Sequence, residues 1–439
     1  MHLLEALEGN PYLGYAYSYP HKLAYRELMP PIPLQTLWSQ EDREALFLYV
    51  HIPFCEMRCG FCNLFTIANP KVDLIGAYLL ALERQARVVK EALGEANFAR
   101  LAIGGGTPSF LNEAQLEQLF FILEDIMHAR SRQIPFSFEV SPKTVTPAKL
   151  RYLRQKGVDR ISIGVQSFQE AEVKGLGRPQ SNREVYQALE WIRQENFPVL
   201  NLDLIYGGAG QTAASWQNTL EQALHYQPEE IYLYPLYVRP LTGLEKMGMS
   251  WDNFRLSLYG QGRDFLLDRG YEQLSMRMFR ARHAPREDHT VYCCQEDGMV
   301  GLGAGARSYT QHVHYATEYA VGRKSVKGII QDYTGKEGAD FALAYYGTQL
   351  NADEQKRRFI IKSLLHADGL SMSRYHQLFE RAVWEEFPQL KDLIHLNLAT
   401  LVGSEKLSLT SRGLERSDTI GPWLYSADVQ ALMHQYELQ

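Results

Sequence analysis

Phe47-Leu-Tyr-Val-His-Ile-Pro-Phe-Cys-Glu-Met-Arg-Cys-Gly-Phe-Cys62 joins a β-rich run to a short loop carrying three cysteines, Cys55, Cys59 and Cys62. Protein iron–sulfur clusters are normally held by Cys thiolates, because soft sulfur suits iron–sulfide. Three thiolates on one loop can hold three corners of a cubane [4Fe–4S] cluster and leave the fourth iron open to a small molecule. The spacing therefore predicts chemistry rather than electron storage alone. A plain reduced-thiol loop and a zinc site short of a ligand are the competing readings. Zinc prefers four ligands, often from paired C-x2-C knuckles, and no second pair follows at that spacing.

Outward from this loop, β-rich runs alternate with amphipathic stretches from Phe47 to Val238. Strands are expected over 47–54, 100–104, 135–140, 160–166, 198–206 and 230–236, and helices over 74–93, 112–127, 146–155, 182–196 and 212–226. Thr146-Pro147 is a helix start and Gly157 a helix stop. Repeated βα steps of this kind imply a parallel sheet with helices outside. Strand side chains alternate between faces. Phe136, Phe138 and Val140 share one face, Ser137 and Glu139 the other. Ile161, Ile163 and Val165 likewise oppose Ser162, Gly164 and Gln166, and Leu200, Leu202 and Leu204 oppose Asn201 and Asp203. One face is apolar, as helices require, and the other is small or polar. A closed eight-stranded barrel would fill its interior with branched apolar residues. The expected fold is α/β: a partial (β/α)6 TIM-like barrel with a roomy hydrophilic lumen.

Residues 46–240 are assigned to this barrel, 241–350 to a barrel extension and linking region, and 351–439 to a C-terminal winged-helix-like domain. That last domain is read from helices at 354–367 and 374–386 and a wing hairpin at 407–413. It is not basic enough to be a DNA reader. Residues 1–45, with Tyr12, Tyr15, Tyr17 and Tyr19, are expected to wrap the barrel as an extended arm that packs rather than gates.

Composition narrows the function classes. A chain of 439 residues is long for one core. Five cysteines do not make a disulfide framework in a chain this long and, with the cluster loop, indicate a reducing cytoplasm. The N-terminus lacks a basic-then-apolar signal pattern, and no apolar run approaches the ~20 residues of a membrane span, so no membrane is expected. A net charge of −6 leaves no basic footprint for nucleic acid. Adjacent Cys293 and Cys294 are expected to be small buried hydrophobes.

The cysteine loop, followed by Gly104-Gly-Gly-Thr-Pro108 after the second strand, resembles the radical S-adenosylmethionine (SAM) superfamily. The likeness extends through Ile161-Ser-Ile-Gly-Val-Gln-Ser-Phe168, Asp203-Leu-Ile-Tyr-Gly207, Gly301-Leu-Gly-Ala-Gly305 and the terminal domain. It is nearest to the branch holding oxygen-independent coproporphyrinogen III oxidase, the haem chaperones and the class C radical methyltransferases. The resemblance implies a [4Fe–4S] cluster on Cys55, Cys59 and Cys62 and a chelated SAM. Reductive cleavage of that SAM gives a 5′-deoxyadenosyl radical that takes hydrogen from an organic substrate. It implies SAM contacts at Tyr49, Phe61, Gly105, Gly106, Thr107 and Glu139, and a second SAM at Gln166, Arg178 and Asp203, where an Arg with an acidic partner clamps a carboxylate and an ammonium group. The glycines at 301–305 would let the backbone approach adenine.

Two departures stand out. Coproporphyrinogen oxidases of the branch carry a fourth cysteine two positions after the third ligand, where this chain has Asn63-Leu64. Arg307-Ser-Tyr309 follows Gly305, without the chaperones' His-Asn haem signature. Tetrapyrrole oxidation, class C-like methyl transfer and haem chaperoning without turnover therefore all stay open. The expected partners are a small-molecule substrate, with tetrapyrroles among the candidates, and an electron donor such as flavodoxin or ferredoxin.

Overall fold

The computed structural model describes residues 3–245, 254–285, 294–403 and 405–437. Among these, one sheet of 13 strands organises the molecule. Its strands are β1 (Arg26–Pro33), β2 (Leu46–Ile52), β3 (Phe98–Gly105), β4 (Phe136–Val140), β5 (Arg160–Gln166), β6 (Val199–Tyr206), β7 (Glu230–Pro235), β8 (Tyr271–Gln273), β9 (Met278–Ala281), β10 (Met299–Leu302), β11 (Arg307–Tyr309), β12 (Val313–Ala316) and β13 (Leu343–Gln349). The spatial order is β1-β13-β12-β11-β10-β2-β3-β4-β5-β6-β7-β9-β8.

The six strands read from the sequence form the parallel centre in chain order, β2 to β7. Helices α1 (Val72–Leu93), α2 (Glu113–Phe121), α3 (Pro147–Gln155), α4 (Asn182–Gln194) and α5 (Ala213–His225) are the crossovers. Their starts are chemically marked. Asn112, Ser181 and Thr212 close capping boxes, and Thr146 accepts from the Lys149 N–H ahead of Pro147. The apolar strand faces lie under these helices: Phe136, Phe138, Ile161, Ile163, Val165, Leu200, Leu202 and Leu204 are fully buried. The polar faces look the other way, as the alternation requires.

Residues after the barrel extend the sheet at both edges. β9 pairs antiparallel with β7 and β8 antiparallel with β9, whereas β10 returns to lie parallel beside β2. From β10, antiparallel β11, β12 and β13 lead back to β1 of the N-terminal segment. That segment is thus partly structured: besides β1 it holds a helix, Leu3–Glu8, packed on Ser417–Trp423. Leu3, Ala16, Tyr19 and Ala24 belong to the core of the C-terminal domain, a second cluster separate from the barrel's.

The C-terminal domain pairs Leu370–Ser371, Lys406–Leu409 and Ala399–Val402 in a small sheet. The hairpin therefore turns near Gly403, and Leu407 begins no wing: 407–409 lie in its second strand, and Ser411–Leu414 is helical. The helix expected over 374–386 is also interrupted. Met372–Phe379 ends at Glu380, which takes a left-handed conformation, and Val383–Glu386 restarts the helix. Cys294 is half-buried rather than sealed in a core, and Cys293 lies outside the described residues. Among the described residues no helix is long and apolar enough to cross a membrane.

Candidate active site

The cysteine loop leaves β2 and folds over the end of the sheet. Phe54–Cys55 pairs with Ile67–Ala68, and the Asn69 N–H donates to the Cys55 carbonyl at 3.0 Å, closing the loop on itself. Between the second and third cysteines, the Gly60 N–H donates to Leu176 O at 3.0 Å and its carbonyl accepts from the Leu244 N–H at 2.9 Å. A Cβ on Gly60 would lie 2.9 Å from Leu176 O, so only glycine lets the loop seat there.

The three cysteines line one open cavity. Each has a polar neighbour. The Thr107 hydroxyl donates to Cys55 Sγ at 3.5 Å, Arg178 Nη1 donates to Cys59 Sγ at 3.3 Å, and Thr66 Oγ1 lies 3.9 Å from Cys62 Sγ. Burial pushes the Cys55 and Cys59 thiols up, Arg178 opposing it at Cys59.

The glycine turn after β3 forms the floor. Gly106 N–H donates to Ile52 O and Thr107 N–H to Phe54 O, both at 2.8 Å, so turn and cysteine loop are tied together. Gly105, at φ +118°, takes a conformation closed to ordinary side chains and donates its N–H to Glu139 Oε2 at 3.1 Å.

The polar faces of β4, β5 and β6 supply the wall: Glu139, Ser162, Gly164, Gln166 and Asp203. Pairing sets Glu139 beside Ser162 and Gly164 beside Asp203. Asn201 Nδ2 donates to both Ser162 Oγ at 2.7 Å and Asp203 Oδ1 at 2.9 Å. Burial, then the charge of Asp203, pushes the Glu139 carboxyl up to about 7. Burial likewise brings Asp203 to about 6, although the Asn201 bond and the charges of Arg160 and Arg178 pull it down. At Gln166, φ is +69° and the β5–β6 register slips, a bulge that turns its side chain back over Gly164.

Arg178 does not pair with Asp203. Its Nη2 donates to Gly164 O at 2.9 Å, Nε to Gln180 Oε1 at 2.6 Å, and Nη1 to the Cys59 sulfur. The expected acid–arginine clamp is thus open, with the guanidinium held at the cysteine loop. Tyr49 stands apart as well. It does not line the cavity; its hydroxyl donates to His51 Nδ1 at 3.2 Å, and His51 Nε2–H donates to Phe65 O at 2.9 Å. The carbonyl can only accept, which sets this tautomer. Burial brings the His51 pKa down to about 4, so the ring is neutral. The run 301–305 does not reach the cavity: Gly303 and Gly305 press against His51 behind it.

Phe61, Gly105, Gly106, Thr107, Glu139, Gln166, Arg178 and Asp203 do meet there with the three cysteines. Glu56, Ser141 and Met57 join them unannounced; Ser141 donates to Glu56 Oε1 at 2.6 Å. Ser141 follows a strand end, where parallel sheets place ligands, and that position was its only signal.

A model of the radical SAM superfamily matches residues 49–223, and one of the HemN C-terminal domain matches residues 350–415. Residues 49–223 are thus a radical SAM domain. This radical SAM chain is 28% identical to the heme chaperone HemW of Bacillus subtilis, over 80% of the chain and 91% of that protein. It is 26% identical to the oxygen-independent coproporphyrinogen III oxidase of Salmonella typhimurium, over 79% and 78%. Its fold matches that of Escherichia coli coproporphyrinogen III oxidase (HemN), with a TM-score of 0.78 and 24% identity over 93% of this chain and 96% of that one.

The cofactors of this radical SAM enzyme are a [4Fe–4S] cluster and SAM, and the donor set fits them. Among the described residues no three ligands converge closely enough for a single metal ion, yet three thiols face one cavity. Thiols spread around a void suit a cluster better than one zinc.

Proposed function

We propose that Cys55, Cys59 and Cys62 hold the cluster and that the wall from Gly105 to Asp203 binds SAM, for hydrogen abstraction from a tetrapyrrole-class substrate in the lumen. The observation that carries this is the meeting of three thiols, the glycine turn and the polar strand faces at one cavity. When bound, the cluster and SAM supply a 5′-deoxyadenosyl radical. The chain's own residues orient and enclose it. Gly105 and Gly106 bring backbone close to the ligand, Thr107 steadies the Cys55 sulfur, and Phe61 offers an aromatic edge between two ligands. Glu139 accepts hydrogen bonds from an ammonium or ribose group, and its near-neutral pKa lets it release a proton as a cation arrives. Tyr49 acts at one remove, by orienting His51 behind the floor.

Gln166, Arg178 and Asp203 are proposed to take a second SAM or the substrate's polar edge. A ligand carboxylate would draw Arg178 toward the lumen, and an ammonium would meet Asp203. The reductant is proposed to be a flavodoxin or ferredoxin, and the setting a reducing cytoplasm in which the free thiols survive. The heme chaperone reading has its own support in the match that spans 91% of the Bacillus subtilis protein.

Anaerobic reconstitution with dithionite and SAM, read by mass spectrometry, separates these readings. 5′-Deoxyadenosine alone supports hydrogen abstraction, and S-adenosylhomocysteine beside it supports methyl transfer. Neither product, together with tight haem binding, would move the assignment to a chaperone. Cys55→Ala, Cys59→Ala and Cys62→Ala are each expected to lose most cluster iron; full retention would sink the ligand assignment.

A further inference from the structure

Two enclosed arginines of this protein have close carboxylate partners. Arg160 Nε lies 2.8 Å from Glu230 Oε2, and Arg277 Nη2 lies 2.6 Å from Asp418 Oδ2. Lys22, Arg239 and Arg307 differ: among the described residues none of them has an ion pair. Lys22 and Arg307 are enclosed by protein yet, like Arg239, only half-buried. Arg307 Nη1 donates to Tyr17 Oη at 2.9 Å and Ser18 Oγ at 3.4 Å. Its Nε and Nη2 make no hydrogen bond to described protein atoms and are not sealed in the interior, so these donors face open space. Lys22 Nζ stands 3.5 Å from the Tyr319 ring centroid, and the Arg239 guanidinium carbon stands 4.4 Å from that of Tyr237.

Tyr17 links Arg307 and Lys22: its ring centroid stands 4.8 Å from the Arg307 guanidinium carbon and 5.8 Å from the ring centroid of His21, the chain neighbour of Lys22. His21 is held well below its ordinary pKa by burial and then by Lys22, Arg307 and Arg239, with no carboxylate offsetting them. The groups nearest this charge are phenols: Tyr17 accepts from Arg307, and Tyr319 lies beneath Lys22. The cluster also adjoins the reaction cavity. The Tyr319 hydroxyl donates to Asn63 O at 2.6 Å, next to Cys62, and Arg307 begins β11 two residues after the Gly305 that packs on His51.

We propose that Lys22, Arg239 and Arg307 form a carboxylate-recognition subsite in the lumen, so that the substrate is an organic acid anchored through at least one carboxylate. This rests on the reading that the lumen holds an organic substrate. Arg307 supplies the planar fork suited to two-point carboxylate binding, Lys22 adds a point charge from the N-terminal segment, and the phenols flank the acid's hydrocarbon body. The missing carboxylate partner is the one the substrate brings.

The test uses the cluster-loaded, anaerobic full chain with two probes, benzene-1,3,5-tricarboxylate and coproporphyrin III, followed by thermal shift and by titration of intrinsic fluorescence. Both are expected to bind, and Arg307→Gln and Lys22→Gln to weaken each at least tenfold. Cluster iron and the unliganded melting temperature should stay near wild type, and Arg239→Gln serves should either variant fold poorly. Affinities unchanged in the variants, or no binding of either probe to wild type, would overturn the subsite. Inorganic phosphate matching the tricarboxylate at equal concentration would overturn the carboxylate assignment. Arg307-dependent binding of the tricarboxylate without binding of coproporphyrin III would uphold the subsite and remove the tetrapyrrole reading instead.

Discussion

Glu139 and Asp203 share a low-dielectric wall in which neither charge is welcome. Glu139 is pushed up to about 7, so its carboxyl is largely protonated below neutrality and ionised above it. A ligand cation binds the ionised form. In the proposed role, SAM affinity therefore rises as pH is raised from 6 to 8, by about tenfold for one proton released. Glu139→Gln should bind SAM more weakly and flatten this slope, as calorimetric titration of the anaerobic, cluster-loaded protein would register. An unchanged slope in the variant would assign the proton elsewhere. At this scale the sequence was informative about residue type and face: Glu139, Gln166 and Asp203 were legible as lumen residues because strand side chains alternate. Tyr49 was singled out by family resemblance, and a face says nothing about which neighbour holds its hydroxyl. His51, two residues further on the same face, does so.

The glycine turn and the cysteine loop are one mechanical element, because each supplies the other's backbone partners. A Cβ on Gly106 would stand 2.6 Å from Phe54 O and 2.8 Å from Cys55 Sγ, both parts of the cluster loop. Gly106→Ala should accordingly displace the loop and at least halve the iron incorporated on reconstitution, while the far-ultraviolet circular dichroism stays that of the wild type. Full iron loading would mean the loop can retreat without losing its ligands. The strands and crossover helices were legible because each carries its own period and caps. The bulge at Gln166 and the break at Glu380 were not. Both are left-handed residues without glycine, held by neighbours rather than by local preference.

The two cores meet at a buried ion pair. Arg277 Nη2 donates to Asp418 Oδ2 at 2.6 Å and to the Tyr237 hydroxyl at 2.6 Å, and that hydroxyl in turn donates to Asp418. Arg277 comes just ahead of β9, Tyr237 just after β7, and Asp418 from the C-terminal domain. Asp418→Ala leaves the Arg277 charge buried without its partner, which costs about 3–5 kcal/mol in comparable pairs. Chemical denaturation should show that loss, with the Arg277→Met, Asp418→Leu double variant recovering much of it. A change under about 1 kcal/mol would mean that the domains dock without this pair.

Sequence alone determined the parallel barrel centre, the polarity of its inner face and the cluster loop, because periodicity, capping and ligand spacing are local properties written within tens of residues. Tertiary structure decided what no local pattern contains. It extended the sheet to thirteen strands by bringing residues 26–33 against 343–349 at one edge. It put N-terminal side chains into the C-terminal core and held Arg178 on Cys59 rather than on Asp203. It also set the Arg307 guanidinium over the Tyr17 ring, beside His21 and its neighbour Lys22. Such contacts depend on which distant groups burial forces together, and that is settled only when the whole chain packs.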